Sequence, residues 1–118
     1  MKNIIIASTS TLHGGEYLDY LLPELQSFFS NVKELLFIPY ARPNGISHDD
    51  YTKKVREAFT KINISVKGIH EFENPTEAVE NAQGIFTGGG NTFLLVSQLY
   101  KNNVIDILES VVKNGTPY

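Results

Sequence analysis

Short apolar runs alternate along this chain with stretches in which apolar residues recur every three or four positions, and no other feature limits the fold as much. The runs at residues 3–7 (Asn-Ile-Ile-Ile-Ala), 34–38 (Glu-Leu-Leu-Phe-Ile), 64–69 and 84–87 read as strands. Between them, Leu18, Leu21, Leu22, Leu25, Phe28 and Phe29, and later Tyr51, Val55, Ala58, Phe59 and Ile62, keep helical spacing. Strands that alternate with helices lie parallel and connect by right-handed crossovers, with helices on both faces of one sheet. The expected class is therefore a doubly wound α/β fold. In such sheets a ligand binds beyond the carboxyl ends of the strands, where the winding direction reverses.

Local punctuation sharpens these boundaries. Pro23 forces the helix around it to begin nearby, and Pro39 ends the second strand because proline has no amide hydrogen for a ladder. Ser47 followed by Asp50 resembles a capping box, and Asn74-Pro75-Thr76-Glu77 offers an N-cap, a first-turn proline and an acid. The third strand alternates apolar and polar residues, as strands near a sheet edge do. A further helix is expected over residues 104–113, closed by Asn114-Gly115.

The 118 residues suit a single α/β domain over 1–118. Ten basic and thirteen acidic residues, net charge −3, are scattered without a cationic stripe, so nucleic acid is not an expected partner. Without cysteine there is no disulfide, no thiolate metal site and no cysteine nucleophile. The apolar start after Met1-Lys2-Asn3 is too short for a signal-peptide core or a membrane span; no membrane partner is expected, and the cytoplasm is the expected location.

Two loops carry site-like chemistry. Gly88-Gly89-Gly90-Asn91 joins the fourth strand to a helix. Three glycines permit positive φ and leave amide hydrogens uncovered, and the helix start adds positive potential, so the turn suits an anion or an oxyanion. A tight turn that binds nothing is the alternative. Ser8, Thr9, Ser10 and Thr11 follow the first strand, able either to donate to a bound carboxylate or to satisfy their own turn. On this ground the first and fourth strands are expected side by side, with at least one glycine of residues 88–90 at positive φ.

No cofactor is expected. A dinucleotide fingerprint needs glycine or alanine where Phe93 stands, and no Gly-Lys-Ser or Gly-Lys-Thr triplet exists to cradle ATP. His13, His48 and His70 lack the spacing of a metal pair, and the acids of His48-Asp49-Asp50 suit a helix start. No serine stands at the centre of Gly-x-Ser-x-Gly, and Ser47 reads as a cap.

Five stretches in order, Ser8-Thr9-Ser10-Thr11-Leu12, Phe37-Ile38-Pro39-Tyr40-Ala41, Asp50-Tyr51-Thr52, Val66-Lys67-Gly68-Ile69-His70 and Gly88-Gly89-Gly90-Asn91-Thr92-Phe93, resemble the peptidase E family. These are serine peptidases that remove an N-terminal aspartate from dipeptides, relatives of cyanophycinase on a fold akin to class I glutamine amidotransferases. The resemblance implies that Gly90 supplies one oxyanion-hole amide and that Gly89, Asn91 and Ser10 line the substrate site. It implies also that the nucleophile, in a Trp-Ser-Ala-Gly-like turn, lies just beyond Tyr118, so this chain, the N-terminal half, holds no catalytic residue. The expected partner of the full-length parent is an Asp-X dipeptide, and the sheet edge left open invites a homo-oligomer. A small flavodoxin-like module, holding an anion at residues 88–91, is the competing reading.

Overall fold

The computed structural model describes residues 22–41, 46–88 and 92–118, with residue 92 described by its backbone alone. The first expected strand therefore lies outside the described residues. Helix α1 spans Leu22–Phe28, with Pro23 in its first turn, where a missing amide hydrogen costs no helical bond. Strand β1 is Glu34–Ile38, α2 is His48–Thr60, β2 is Ser65–Gly68 and a 3-10 turn covers Ile69–Glu71. Then come α3 at Pro75–Glu80, β3 at Ile85–Thr87, α4 at Thr92–Lys101 and α5 at Ile105–Lys113.

The caps form as the local sequence dictates. Ser47 Oγ accepts from the Asp50 amide at 3.1 Å and starts α2. Asn74 Oδ1 accepts from the Glu77 amide at 3.2 Å and starts α3, with Pro75 at its head. Gly115, at φ 100°, follows the Asn114 C-cap of α5 in the left-handed region that glycine enters without a steric penalty.

The three strands are parallel, in the order β2-β1-β3. Leu36, Phe37 and Ile38 face Ile85, Phe86 and Thr87 across one ladder, and Glu34 to Phe37 face Ser65 to Gly68 across the other. The chain thus steps from β1 to β2 in one direction and returns past β1 to reach β3. A right-handed crossover reversing direction must change face. It does: Leu35 and Phe37 pack with α1 and α2 through Leu25, Phe29, Tyr51, Val55 and Phe59, whereas Leu36 and Ile38 pack with α3, α4 and α5 through Val79, Leu99, Val104, Leu108 and Val111. The period-two alternation of β1 feeds both cores at once, which is why the strand is apolar throughout.

The expected pairing of the first strand with the fourth falls outside the described residues. Within them the second strand lies beside the fourth, as β1 and β3, and the winding reverses between these two. On the flank of β3 away from β1, the Ile85 amide donates to the Pro117 carbonyl at 2.8 Å, so the segment leaving α5 reaches that flank.

Candidate functional site at the β1/β3 switch point

The reversal between β1 and β3 fixes where a ligand would sit, beyond the ends of Ile38 and Thr87. The loop after β1 starts with Pro39, Tyr40 and Ala41; the loop after β3 starts with Gly88. Gly89, Gly90 and Asn91, together with Ser10, lie outside the described residues, so the described wall of this crevice is Tyr40, Gly88 and the side chains packed behind them.

Gly88 is buried, and its amide donates to the Ile38 carbonyl at 3.1 Å, which extends the β1/β3 ladder by one bond. Its φ is not positive; among the described glycines only Gly115 has that conformation. Glycine is required here for a different reason. A side chain at 88 would run into Tyr51, with Cζ at 2.5 Å and Cε2 at 2.8 Å from an added Cβ and the hydroxyl closer still. Tyr51 cannot easily yield. It is 2% exposed, its ring meets Phe37 edge-on at 5.0 Å, and its amide is tied to the Ser47 carbonyl in the first turn of α2. The cap of α2 therefore places the phenol against the root of the glycine turn.

Behind Tyr40 lies a group whose members sequence reasoning weighed separately and did not bring together. The rings of Tyr40 and His48 are 5.8 Å apart, those of His48 and His70 5.4 Å, and His70 Nε2 donates to Asp49 Oδ1 at 2.7 Å. His48 and Asp49 open α2 and His70 sits in the turn after β2, so the parallel pairing of β1 and β2 brings them together. Asp49 is exposed, which leaves this contact screened by water and weak. Tyr40 is 3% exposed, and burial pushes its phenol above the ordinary value of 10.0, so it stays neutral near pH 7. The sequence held a signal for this cluster, since the ends of adjacent parallel strands share one edge of the sheet. Among the described residues no group of three histidines, cysteines or acids could hold a metal.

A groove of about 600 Å³ lies elsewhere, lined by Glu34, Lys67, Glu71, Glu77 and Gln83 among others. It runs from Glu34 at the amino end of β1 along α3 to the turn after β2 and does not reach the carboxyl ends of β1 and β3, where the winding reverses. We assign the candidate site to the switch point.

Comparison with known proteins bears on that assignment. The model of the peptidase family S51 matches residues 4–118. The chain is 38% identical over its whole length to peptidase E of Haemophilus influenzae Rd, covering 55% of that protein. It is 41% identical over 99% of its length to a Drosophila melanogaster protein named "Probable alpha-aspartyl dipeptidase", covering 49% of it. A crystal structure described as that of "a Putative Peptidase E Protein from Listeria monocytogenes EGD-e" superposes at a TM-score of 0.65 over 81% of this chain and 50% of the other, at 24% identity, and supports the fold. The chain spans about half the length of the curated relatives it matches.

Proposed function

Since the chain belongs to peptidase family S51, we propose that it supplies the scaffold and half of the oxyanion hole of a serine-type dipeptidase that removes an N-terminal aspartate and works in the cytoplasm. The observation that carries this reading is the glycine turn at the winding reversal. It starts at Gly88, which continues the β1/β3 ladder, and Pro117 lies along the other flank of β3. A strand continuing from Pro117 would run parallel to β3 and bring its carboxyl end beside residues 88–91. A nucleophile elbow there would face the glycine turn. The names of the relatives, peptidase E and alpha-aspartyl dipeptidase, supply the substrate class.

The chemistry divides accordingly. Attack of a serine hydroxyl on the peptide carbonyl creates an oxyanion, with a base taking the hydroxyl proton. The Gly90 amide donates to that oxyanion, and the amide after the serine donates from the other side. Gly89, Asn91 and Ser10 line the wall that holds the dipeptide. The serine and its base belong to the segment expected beyond Tyr118, so within 1–118, taken as one part of the catalytic domain, no residue is assigned to catalysis. The flank of β3 beyond Pro117 is also where a second copy would pair if the remaining half were missing.

The test is hydrolysis of Asp-Leu by the purified chain, alone and mixed with the portion of Haemophilus influenzae peptidase E that it does not match. The chain alone should show no turnover, since losing nucleophile and base costs on the order of 10⁶. The mixture should regain turnover, and Gly90→Pro should lower it on the order of 10² to 10³ by removing one oxyanion donor. Turnover by the chain alone would overturn the placing of the nucleophile. Full activity of the Gly90→Pro mixture would remove Gly90 from the oxyanion hole, and anion binding by the chain with an inert mixture would favour the flavodoxin-like module.

A further inference from the structure

Among the described residues three large apolar side chains stand in water: Phe93 is 89% exposed, Tyr100 64% and Val96 41%. All three belong to α4, at positions i, i+3 and i+7, and so form one stripe. The same helix buries Leu99 and packs Leu95 against the core shared with α3 and α5. At 3.6 residues per turn the exposed stripe lies roughly a third of a turn round from that buried seam. A helix on a domain surface needs one apolar face; α4 has two.

Three observations indicate what covers the second face. The helix leaves the glycine turn directly, so its first exposed ring, Phe93, stands two residues after Asn91. Tyr118 packs against the same core as Leu95 and Leu99, and the Pro117 carbonyl accepts from Ile85, so continuing chain would be laid beside β3 on this side of the molecule. The relatives are about twice as long as this chain. A second copy of the chain fits less well. Two partly exposed aromatics and a valine offer on the order of 300–400 Å², well short of the ~800 Å² per partner of a stable interface. As one seam continuous with the flank of β3, the same area suffices.

We propose that the Phe93–Val96–Tyr100 face of α4 is the docking seam for the other half of the S51 domain, an apolar surface of the polypeptide expected after Tyr118. The proposal rests on the reading above that the chain is a portion of a longer domain, and it is read out by binding, so that it can fail separately from the dipeptidase assignment. Phe93→Asp with Tyr100→Asp should leave the thermal unfolding of the chain nearly unchanged, because Phe93 is almost wholly and Tyr100 mostly in water. In sedimentation velocity the unaltered chain should form a one-to-one complex with the unmatched portion of Haemophilus influenzae peptidase E. The double variant should bind about 100-fold more weakly or worse. Phe93→Leu with Tyr100→Phe should restore binding. A photo-crosslinking amino acid at position 93 of the otherwise unaltered chain provides a measure independent of how the charged variant folds, and should capture the added fragment. A complex that forms without Asp-Leu turnover would refute the dipeptidase assignment and leave the seam standing. Equal binding by the double variant, absence of any complex, or crosslinks between copies of the chain that the fragment does not displace would each overturn it.

Discussion

The two flanks of β1 are built differently. Among the described residues the β2 side of the sheet ends as an edge: Ser65 and Lys67 are exposed, and the strand gives way to a 3-10 turn. Arg56 crosses from α2 to donate through Nε to the Val66 carbonyl at 3.1 Å and through Nη2 to Glu71 at 3.2 Å, while Glu71 in turn accepts from the Gly68 amide at 2.6 Å. Polar side chains thus occupy backbone groups that a further strand would need. On the β3 side nothing of that kind is present among the described residues. The strand runs into a glycine whose side-chain space is taken by Tyr51, a carbonyl from the chain's last residues already meets its outer face, and the helix that follows carries an uncovered apolar stripe. One flank closes a sheet and the other is ready to extend it. The difference shows that an edge is recognised by what its side chains do to its backbone, more than by where it falls in the strand order.

The sharpest way to break this comparison is to place the same methyl group on both flanks. Gly88→Ala meets Tyr51, which is caged by Phe37 and the first turn of α2, and should cost about 1–3 kcal/mol as overpacking does. Gly68→Ala meets the ring of His70 and, at 2.9 Å from the added Cβ, the hydroxyl of buried Thr52. That ring is less tightly caged than Tyr51, being partly exposed and held by a hydrogen bond to exposed Asp49, so the cost should fall at the low end of the same range, about 1 kcal/mol. Urea unfolding of both variants decides the matter, and equal losses would mean that Tyr51 is no more rigid than His70.

A smaller effect is expected on the β2 flank from Arg56→Ala. It removes a hydrogen bond to a part-buried carbonyl and an exposed ion pair, together about 0.5–1.5 kcal/mol. Hydrogen exchange should show the protection loss concentrated at residues 65–68. Loss spread evenly over β1 and β3 would deny Arg56 its role as an edge seal.

The smallest effect concerns Tyr40 and alkaline pH. Burial raises its phenol above 10.0, so the folded state holds this proton more tightly than the unfolded chain does. The stability linked to that proton is complete below pH 10 and is lost as pH rises through the folded value. Tyr40→Phe should flatten the decline in melting temperature above pH 10 and leave the neutral range almost unchanged. An identical alkaline decline in the variant would show that other groups govern it.

Much of this architecture could be read before any coordinates. The caps at Ser47 and Asn74, the early Pro23 and the glycine after α5 act within about four residues of themselves, so the sequence specifies them completely. The alternation of strand and helix determined the doubly wound class for a related reason, since a strand apolar throughout has to be covered on both faces. The family resemblance likewise rested on local motifs. Strand order was decided by tertiary structure, because a parallel partner lies a whole crossover away and several orders satisfy the same periodicity; among the described residues the second strand is a neighbour of the fourth, a pairing the periodicity alone did not specify. The cause of the glycine at 88 was also hidden. A glycine turn suggests positive φ, whereas the space at Gly88 is consumed by a tyrosine 37 positions earlier, brought there by the packing of α2 on β1. The Tyr40–His48–His70–Asp49 cluster and the bare face of α4 have the same origin. Each depends on which elements become neighbours, and only the folded chain decides that.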